Sequence, residues 1–311
     1  MINYKKISVV LTTYNGKQHI VELLDSIANQ TVLPDEVIIA DDQSTDNTVN
    51  IVKEYIEIHK LENWFVYVNP INLGWQKNFK EAISRATGDY IFLADQDDIW
   101  MSKKIEEYIN YFEHTFAWLI VSDFKTIGDP KAQKGAYMPE LSYEEQNGYK
   151  KIKFTSTYYL ILRPGCVMAF NNELKDTFLS LWTEGTPHDA LIWAIAGAAD
   201  KIFYIQKPMI LFRRESQNAS NSIIHNISFK IDEIKRTDNV DRWFLAHYPK
   251  SENTRVIKRN LKWCSARYKL LVNKKIVYWF RLILLRDCYY SNKKYFGDLY
   301  YYIKAIRSEK K

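Results

Sequence analysis

Over its first hundred residues the chain alternates short apolar runs with stretches whose apolar residues fall at helical spacing. The run "ISVVLT" (7–12) is β-branched and almost uninterrupted, the pattern of a strand covered on both faces. Residues 17–30 follow, with Ile20, Leu23, Leu24 and Ile27 on one helical face. The same pair of patterns recurs, with strands at 36–41, 64–69 and 89–95 and helices at 47–60, 74–86 and from Lys103 onward. Asp46 and Ser102 are the expected N-caps of the second and fourth helices. Such alternation through short loops predicts an α/β fold with a mostly parallel sheet and helices on both faces. Beyond residue 116 the pattern loosens. Residues 117–124 and 165–170 read as strands, 173–182 and 188–199 as helices, and 201–220 as strand, turn, strand and polar loop. Residues 125–150, with Gly128, Pro130, Gly135, Pro139 and Gly148, read as a long surface loop. From about residue 225 helical spacing prevails, so the expected division is an α/β domain over 1–222 and a helical extension over 223–311.

The polar clusters sit directly behind the predicted strands. "TTYNG" follows the first, "DDQSTD" the second, "NPINLG" the third and "DQDD" the fourth. In a parallel sheet these loops share the carboxyl edge, where ligands bind. Asp95, Asp97 and Asp98 fall within four residues of one another there. One Asp near a helix N-terminus is favourable; three side by side repel each other unless a cation neutralises them. Mg2+ and Mn2+ prefer oxygen ligands and keep phosphate oxygens in their shell, so the cluster predicts a divalent ion shared with a diphosphate. No Walker loop or GxGxxG follows the first strand, and "TTYNGK" holds a single glycine. That argues against kinases, GTPases and dinucleotide oxidoreductases, and against a nucleotidyltransferase with a glycine-rich basic loop.

In this order, "VVLTTYNG", "VIIADDQSTDNT", "NLGWQKNF", "GDYIFLADQDDIW" and "HDAL" resemble the family 2 glycosyltransferases, over about residues 5–220. "ADQDDIW" together with "HDAL" is similar to bacterial rhamnosyltransferases of cell-wall and capsular polysaccharide. The resemblance implies a GT-A fold, Rossmann-like, with nucleotide-sugar binding in 1–100 and the acceptor side in 101–222. It implies an inverting, metal-dependent hexosyltransferase using Mn2+ or Mg2+. Thr13 and Tyr14 would line the base pocket, Asp41 and Asp42 would hold base and ribose, and Lys77 would contact the nucleotide. Asp95 and Asp97 match the DxD pair that binds ribose and, through the metal, the diphosphate, with Asp98 joining or orienting them. Asp46 is left as a cap. Asp189 matches the catalytic base, and His188 is given a packing or orienting role. Where relatives carry Tyr-Arg-Gln-His, this chain has Phe212-Arg213-Arg214-Glu215. Glu215 is then a candidate metal ligand, Arg213 and Arg214 contact the donor phosphates, and 216–218 form a loop that closes over the donor. The expected donor is dTDP-L-rhamnose, with UDP-galactose or UDP-glucose as alternatives, and the acceptor is a saccharide, lipid-linked, in surface polysaccharide synthesis. A non-catalytic sugar-nucleotide-binding scaffold subunit is the contrary reading, and intact Asp95, Asp97 and Asp189 argue against it.

Charge divides the chain unevenly. Residues 255–311 carry 16 Lys and Arg against three Asp and Glu, along with 12 of the 46 aromatics, whereas residues 1–254 carry 27 against 34. Basic and aromatic residues together favour an anionic membrane surface. "KIVYWFRLILL" (275–285) is apolar almost throughout but too short to span a bilayer. The expectation is a helical, monotopic contact with the cytoplasmic leaflet, the other readings being a helical cap on the catalytic domain or a homodimer interface. No zinc finger, RNP sequence or helix-turn-helix signal accompanies the charge, so nucleic acid is not an expected partner. The N-terminus lacks a signal-peptide core and no run reaches membrane-span length, which places the protein in the cytoplasm, peripheral on the inner face of the cell membrane. Cys166, Cys264 and Cys288 are too few and too scattered for a disulfide framework or a zinc site and are expected to be buried thiols.

Overall fold

The computed structural model describes residues 5–129, 139–214 and 227–308. These fall into two compact units, one within Met1–Ile152, Leu162–Ile192 and Lys201–Asn218, the other within Lys153–Ile161, Trp193–Asp200 and Ala219–Lys311. The sequence puts one cut at 222/223. The second unit also takes in two internal segments, 153–161 and 193–200, which carry the buried Tyr158, Tyr159 and Trp193.

The first unit is built on a ten-stranded sheet. Its strands are β1 (Ile7–Thr13), β2 (Glu36–Asp41), β3 (Trp64–Val68), β4 (Tyr90–Asp95), β5 (Ile99–Trp100), β6 (Leu119–Gly128), β7 (Tyr143–Gln146), β8 (Tyr149–Ile152), β9 (Met168–Asn171) and β10 (Ile202–Arg214). The spatial order is β3-β2-β1-β4-β9-β6-β10-β8-β7, with β5 paired to β10. The long pairings are parallel: β1 with β2 and β4, β2 with β3, and β6 with β10. Short antiparallel pairings join β9 to β4 and β6. Between the strands run α1 (Ile20–Ala28), α2 (Thr48–His59), α3 (Trp75–Arg85), α4 (Lys104–His114) and α5 (Asn172–Leu181). Passing from β1 to β2 to β3 the chain moves one way; from β3 to β4 it turns back across β1. Right-handed crossovers then put α1 and α2 on one face and α3 on the other. Val9, Leu11, Val37, Ile39 and Phe92 pack with Leu23, Leu24, Ile27 and Val52 on the first face, while Val10, Ile38, Ile91 and Leu93 are buried on the second. The reversal makes β1/β4 the topological switch point, the place where such sheets bind ligands.

Several local expectations change. The stretch read as a loop over 125–150 contains the β7–β8 hairpin, turned by Asn147 and Gly148, both at positive φ (52° and 82°), the conformation of a type I′ turn. Residues 130–138 of that loop lie outside the described residues. The described part of the strand–turn–strand expected over 201–220 is one strand, β10, which ends at Arg214 and whose register with β6 shifts on either side of Pro208, where a missing N–H is tolerated; residues 215–220 lie outside the described residues. Ser102 does not cap α4: the helix begins at Lys104 without a side-chain cap, and the carbonyl of Ser102 instead accepts the Thr31 N–H at 2.9 Å.

The helix α6 (His188–Ala198) gives its first residues to the first unit and the remainder to the second. The second unit also holds α7 (Ile227–His247), α8 (Thr254–Leu271), α9 (Val277–Arg281), which continues as a 3-10 stretch (Leu282–Cys288), and α10 (Asn292–Ser308). Phe244, Ile257, Trp263, Leu270 and Tyr295 are buried in it. A buried guanidinium, Arg267, ties the helices: it pairs with Asp298 (2.7 and 3.1 Å) and Glu233 (2.9 Å), and Tyr289 donates to Asp298 at 2.6 Å. Among the described residues no helix is long and apolar enough to cross a membrane. All three cysteines are free and buried.

Candidate active site

The four polar loops do meet at the carboxyl edge, stitched together by their own side chains. Gln96, from the loop after β4, accepts the Tyr14 N–H at 2.8 Å and donates to the Tyr14 carbonyl at 3.0 Å. Asn15 accepts the N–H of Thr45 at 2.8 Å and of Asp46 at 3.3 Å. Asp46 accepts the N–H of Thr48 at 2.9 Å but is not the expected N-cap: Asn47 holds that position, without a side-chain cap. Asn69 donates to Asp42 at 2.9 Å and to Asn78 on α3, which in turn donates to the Ala40 carbonyl at 2.9 Å.

The donor-side residues occupy this edge in different ways. Asp41 is buried and accepts from Thr13 Oγ1 (2.7 Å), Ser44 N (2.7 Å) and Ser44 Oγ (2.6 Å). Asp42 is buried and accepts from the N–H groups of Leu73 (2.7 Å) and Gly74 (2.8 Å) as well as from Asn69. Carboxylates so bonded fix the shape of the loops at this edge. Tyr14 is 47% exposed, its ring available to a ligand. Lys77 is half-buried on the first turn of α3.

The acid cluster is made by a tight turn. β4 ends at Asp95, Asp98 N–H returns to the Asp95 carbonyl at 3.3 Å, and β5 then pairs antiparallel with β10. Arg213 clamps the turn: its N–H donates to Asp98 Oδ1 at 3.0 Å, its Nε to the Asp97 carbonyl at 2.9 Å, and its guanidinium pairs with Glu22. Asp98 is fully buried, and its Oδ2 has no hydrogen-bond partner. Asp95, Asp98 and Cys166 bring ligand-capable atoms within 4.8 Å of one another. The sequence pairs Asp95 with Asp97 on the metal; the structure gathers Asp95 with Asp98 and leaves Asp97 half-buried, with its carbonyl held by Arg213. Burial, then the charges of Asp97 and Asp189, raise the Asp95 carboxyl above its ordinary range. Burial, then Asp95 and Asp97, do the same to Asp98. An orphaned buried carboxylate oxygen beside a second carboxylate fits a hard divalent cation. Cys166 fits it poorly, since burial pushes the thiol pKa well up and sulfur is soft.

The cluster already faces one buried lysine amine. Lys104, the first residue of α4, is fully buried, donates to the Cys166 carbonyl at 2.7 Å and lies 3.7 Å from the centroid of the Trp100 ring. Burial lowers its pKa to about 7, against the pull of Asp98 and Asp95. No local pattern marks this lysine in the sequence; only the tertiary fold places α4 beneath the turn.

Asp189, 94 residues beyond Asp95, is the second residue of α6 and reaches the same cluster, where its charge helps raise Asp95. It is half-buried, with Oδ1 accepting the Ala190 N–H at 2.7 Å. His188 stacks on Phe79 (3.7 Å) and meets the Trp75 ring edge-on (6.0 Å). Both of its ring nitrogens are buried without partners, and burial takes its pKa down to about 4, so it is neutral at pH 7. Gly165 makes room for the pair: a Cβ there would lie 2.9 Å from His188 Nε2 and 3.3 Å from Asp189 Cβ. The Arg214 guanidinium lies over the Phe212 ring at 5.6 Å. Glu215 and residues 216–218 lie outside the described residues.

Comparison with known proteins bears on the family and the fold. The family profile described as glycosyl transferase family 2 matches residues 8–176, more than half of the chain. RfbG of Shigella flexneri, named a dTDP-rhamnosyl transferase, is 29% identical over 256 residues, 78% of this chain and 83% of that protein. Rv1520, an uncharacterized protein of Mycobacterium tuberculosis, is 38% identical over 108 residues, 34% of this chain. That match spans only 31% of the mycobacterial protein's length. Among solved structures, TarS 1–349 of S. aureus in complex with UDP-GlcNAc is similar in fold, with a TM-score of 0.64 at 20% identity, covering 87% of this chain and 74% of that one.

Proposed function

The chain belongs to glycosyl transferase family 2, and from that premise we propose that it moves a sugar from a nucleotide-diphosphate donor to a saccharide acceptor, with inversion at the anomeric carbon. The observation that carries the reading is the convergence of Asp95, Asp97, Asp98 and Asp189 at the β1/β4 switch point. Asp95 and Asp98 would hold Mn2+ or Mg2+, with Asp97 and Glu215 as further candidate carboxylates for the ion and the donor. An ion held there would supply Lewis-acid stabilisation of the leaving diphosphate. Tyr14 contacts the base, Thr13, Asp41 and Asp42 form the pocket for base and ribose, and Lys77 and Arg214 bring positive charge to the phosphates. Arg213 holds the DQDD turn in register and so acts on the phosphates through the turn. Asp189 takes the acceptor hydroxyl's proton as that oxygen bonds to the anomeric carbon and the bond from that carbon to the diphosphate oxygen breaks.

Similarity to RfbG supports L-rhamnose from dTDP-rhamnose as the donor. A UDP-linked sugar, UDP-galactose or UDP-glucose, is the second reading, and the likeness to a fold solved with UDP-GlcNAc supports it. The acceptor is lipid-linked on the cytoplasmic face of the membrane, a reading supported by the basic, aromatic C-terminal segment. A thermal-shift panel of nucleotide-sugars with and without Mn2+ tests the proposal, because a ligand that binds only the folded state raises the midpoint by mass action. The expected result is one nucleotide-sugar, with Mn2+, standing out and also being turned over. Silence across the whole panel refutes the reading; binding without turnover of any donor turns it toward a scaffold subunit.

A further inference from the structure

The C-terminal unit exposes a run of apolar side chains that its own core does not use. Ile276 (39%), Val277 (50%), Phe280 (58%), Ile283 (50%) and Leu284 (77%) are all solvent-exposed. Their spacing is that of a single helical face, carried by α9 and the 3-10 stretch after it. The ridge continues through Trp279, whose ring lies 5.2 Å from Phe280 and 6.2 Å from Phe296 on α10. Phe296, Tyr300 and Ile303 form a second exposed face there. Isolated exposed apolar residues are ordinary, but a contiguous patch of them marks an interaction surface.

Beside the ridge lies an open groove of about 420 Å3 between α8 and α9, with Lys262, Ser265, Tyr278 and Arg281 around an apolar floor of Leu261 and Leu285. The Arg281 guanidinium sits 4.9 Å from the centroid of the Tyr278 ring. Neither Lys262 nor Arg281 has an acidic partner among the described residues. Among the described residues of this segment the two acids, Asp287 and Asp298, are already paired with Arg259 and Arg267. Among the described residues the charges of Lys262 and Arg281 therefore stand without an acidic partner beside the apolar ridge.

We infer that this surface docks on an anionic bilayer, with the ridge from Ile276 to Leu284 entering the acyl boundary and the Lys262–Arg281 groove receiving a lipid phosphate. Charge complementarity selects this occupant, and the ridge argues against a polyanion such as nucleic acid, which offers nothing apolar to cover it. With about a dozen residues in α9 and the 3-10 stretch, the element lies in the plane of the interface and does not span it. The inference rests on the membrane-proximal part of the proposed function and not on the donor chemistry.

Flotation of the full chain with vesicles of phosphatidylcholine alone, or mixed with phosphatidylglycerol, tests it. The wild type should float with the anionic vesicles and not with the neutral ones. Phe280→Ser/Leu284→Ser should weaken binding roughly tenfold or more, and Lys262→Glu/Arg281→Glu by more than about tenfold. Thermal midpoints of both variants should match the wild type, since all four side chains lie at the surface or in an open groove. The inference is overturned if the folded wild type stays behind with anionic vesicles, or if both variants float as it does. A wild-type dimer that Phe280→Ser/Leu284→Ser turns into a monomer also overturns it, because a second copy then covers the ridge. The nucleotide-sugar thermal shift, read on the same samples, separates the outcomes: a wild type that fails to float but keeps its donor response refutes the docking surface alone.

Discussion

A lysine ammonium buried against the π-face of Trp100 is stable as an ion only where opposite charge and hydrogen-bond acceptors face it. Lys104 has both, in Asp98 and Asp95 and in the Cys166 carbonyl. It answers part of the repulsion among the "DQDD" acids from below, and a divalent cation would answer the rest from the ligand side. Lys104→Met keeps the volume and removes the charge. It should lower stability by about 1–3 kcal/mol, the usual cost of leaving buried acceptors without their donor. Mn2+ with the right nucleotide-sugar should recover part of that loss, measured by thermal unfolding with and without both ligands. Equal destabilisation with and without them would make Lys104 a packing residue only. Asp189 is tested by a split between binding and turnover. Asp189→Asn keeps the hydrogen bond to Ala190 N–H and loses the basic oxygen. Turnover should fall about a hundred- to ten-thousand-fold while the donor-dependent thermal shift stays within about twofold in ligand concentration. A parallel fall in donor affinity would move Asp189 from proton transfer to donor binding.

Elements with a strong period were legible before any coordinates. The strands β1, β2 and β4 are buried along their length, so their apolar runs admit no other reading, and α1 shows its buried face at the positions the spacing marks. The loops that carry the chemistry could be placed on one edge for the same reason. Elements decided by turn chemistry or by distant partners were not legible. The β7–β8 hairpin has little apolar alternation, and its signal was the Asn147-Gly148 pair alone. Pro208 in β10 looks like a break until β6 supplies a bulged register on either side. Within the site, Asp95, Asp97, Asp98 and Asp189 could be named from their motifs, whereas Lys104 and Gly165 act only across the fold. Gly165 begins the 3-10 turn that leads into β9. Gly165→Ala puts a methyl group 2.9 Å from His188 Nε2 and 3.3 Å from Asp189 Cβ, so one of the two elements must give. The expected outcome is a lower kcat, by about tenfold or more for a displaced base, with the KM for donor unchanged and a folded protein by circular dichroism. An unchanged kcat would show that the start of α6 can shift without disturbing the acceptor side.

Taken as one molecule, the chain keeps its charges apart: excess acid before residue 255, excess base after it. The pH response of stability is therefore set in different places, and one contribution lies far in sequence from every motif. Asp241 on α7 is fully buried, Tyr158 donates to its Oδ1, and its Oδ2 has no partner. Asp238, Arg242 and the Tyr158 hydroxyl are the polar groups that face it. Burial raises the Asp241 carboxyl to about 8, opposed by the Tyr158 hydrogen bond. Between about pH 4, where the unfolded carboxyl ionises, and pH 8 the folded chain therefore holds a proton that the unfolded chain releases. The stability this proton contributes is fully present below the lower limit and is lost as pH rises through the upper one. Asp241→Asn removes the titration and leaves an acceptor for Tyr158. The variant and the wild type should unfold at similar temperatures near pH 5. At pH 8 to 9 the variant should be the more stable by on the order of 2–5 kcal/mol, since each shifted pKa unit is about 1.4 kcal/mol. Differential scanning calorimetry of both proteins across this range reads the gap directly. Midpoints that run parallel with pH would mean that the folded chain holds Asp241 ionised throughout, with Arg242 rather than a proton as its partner.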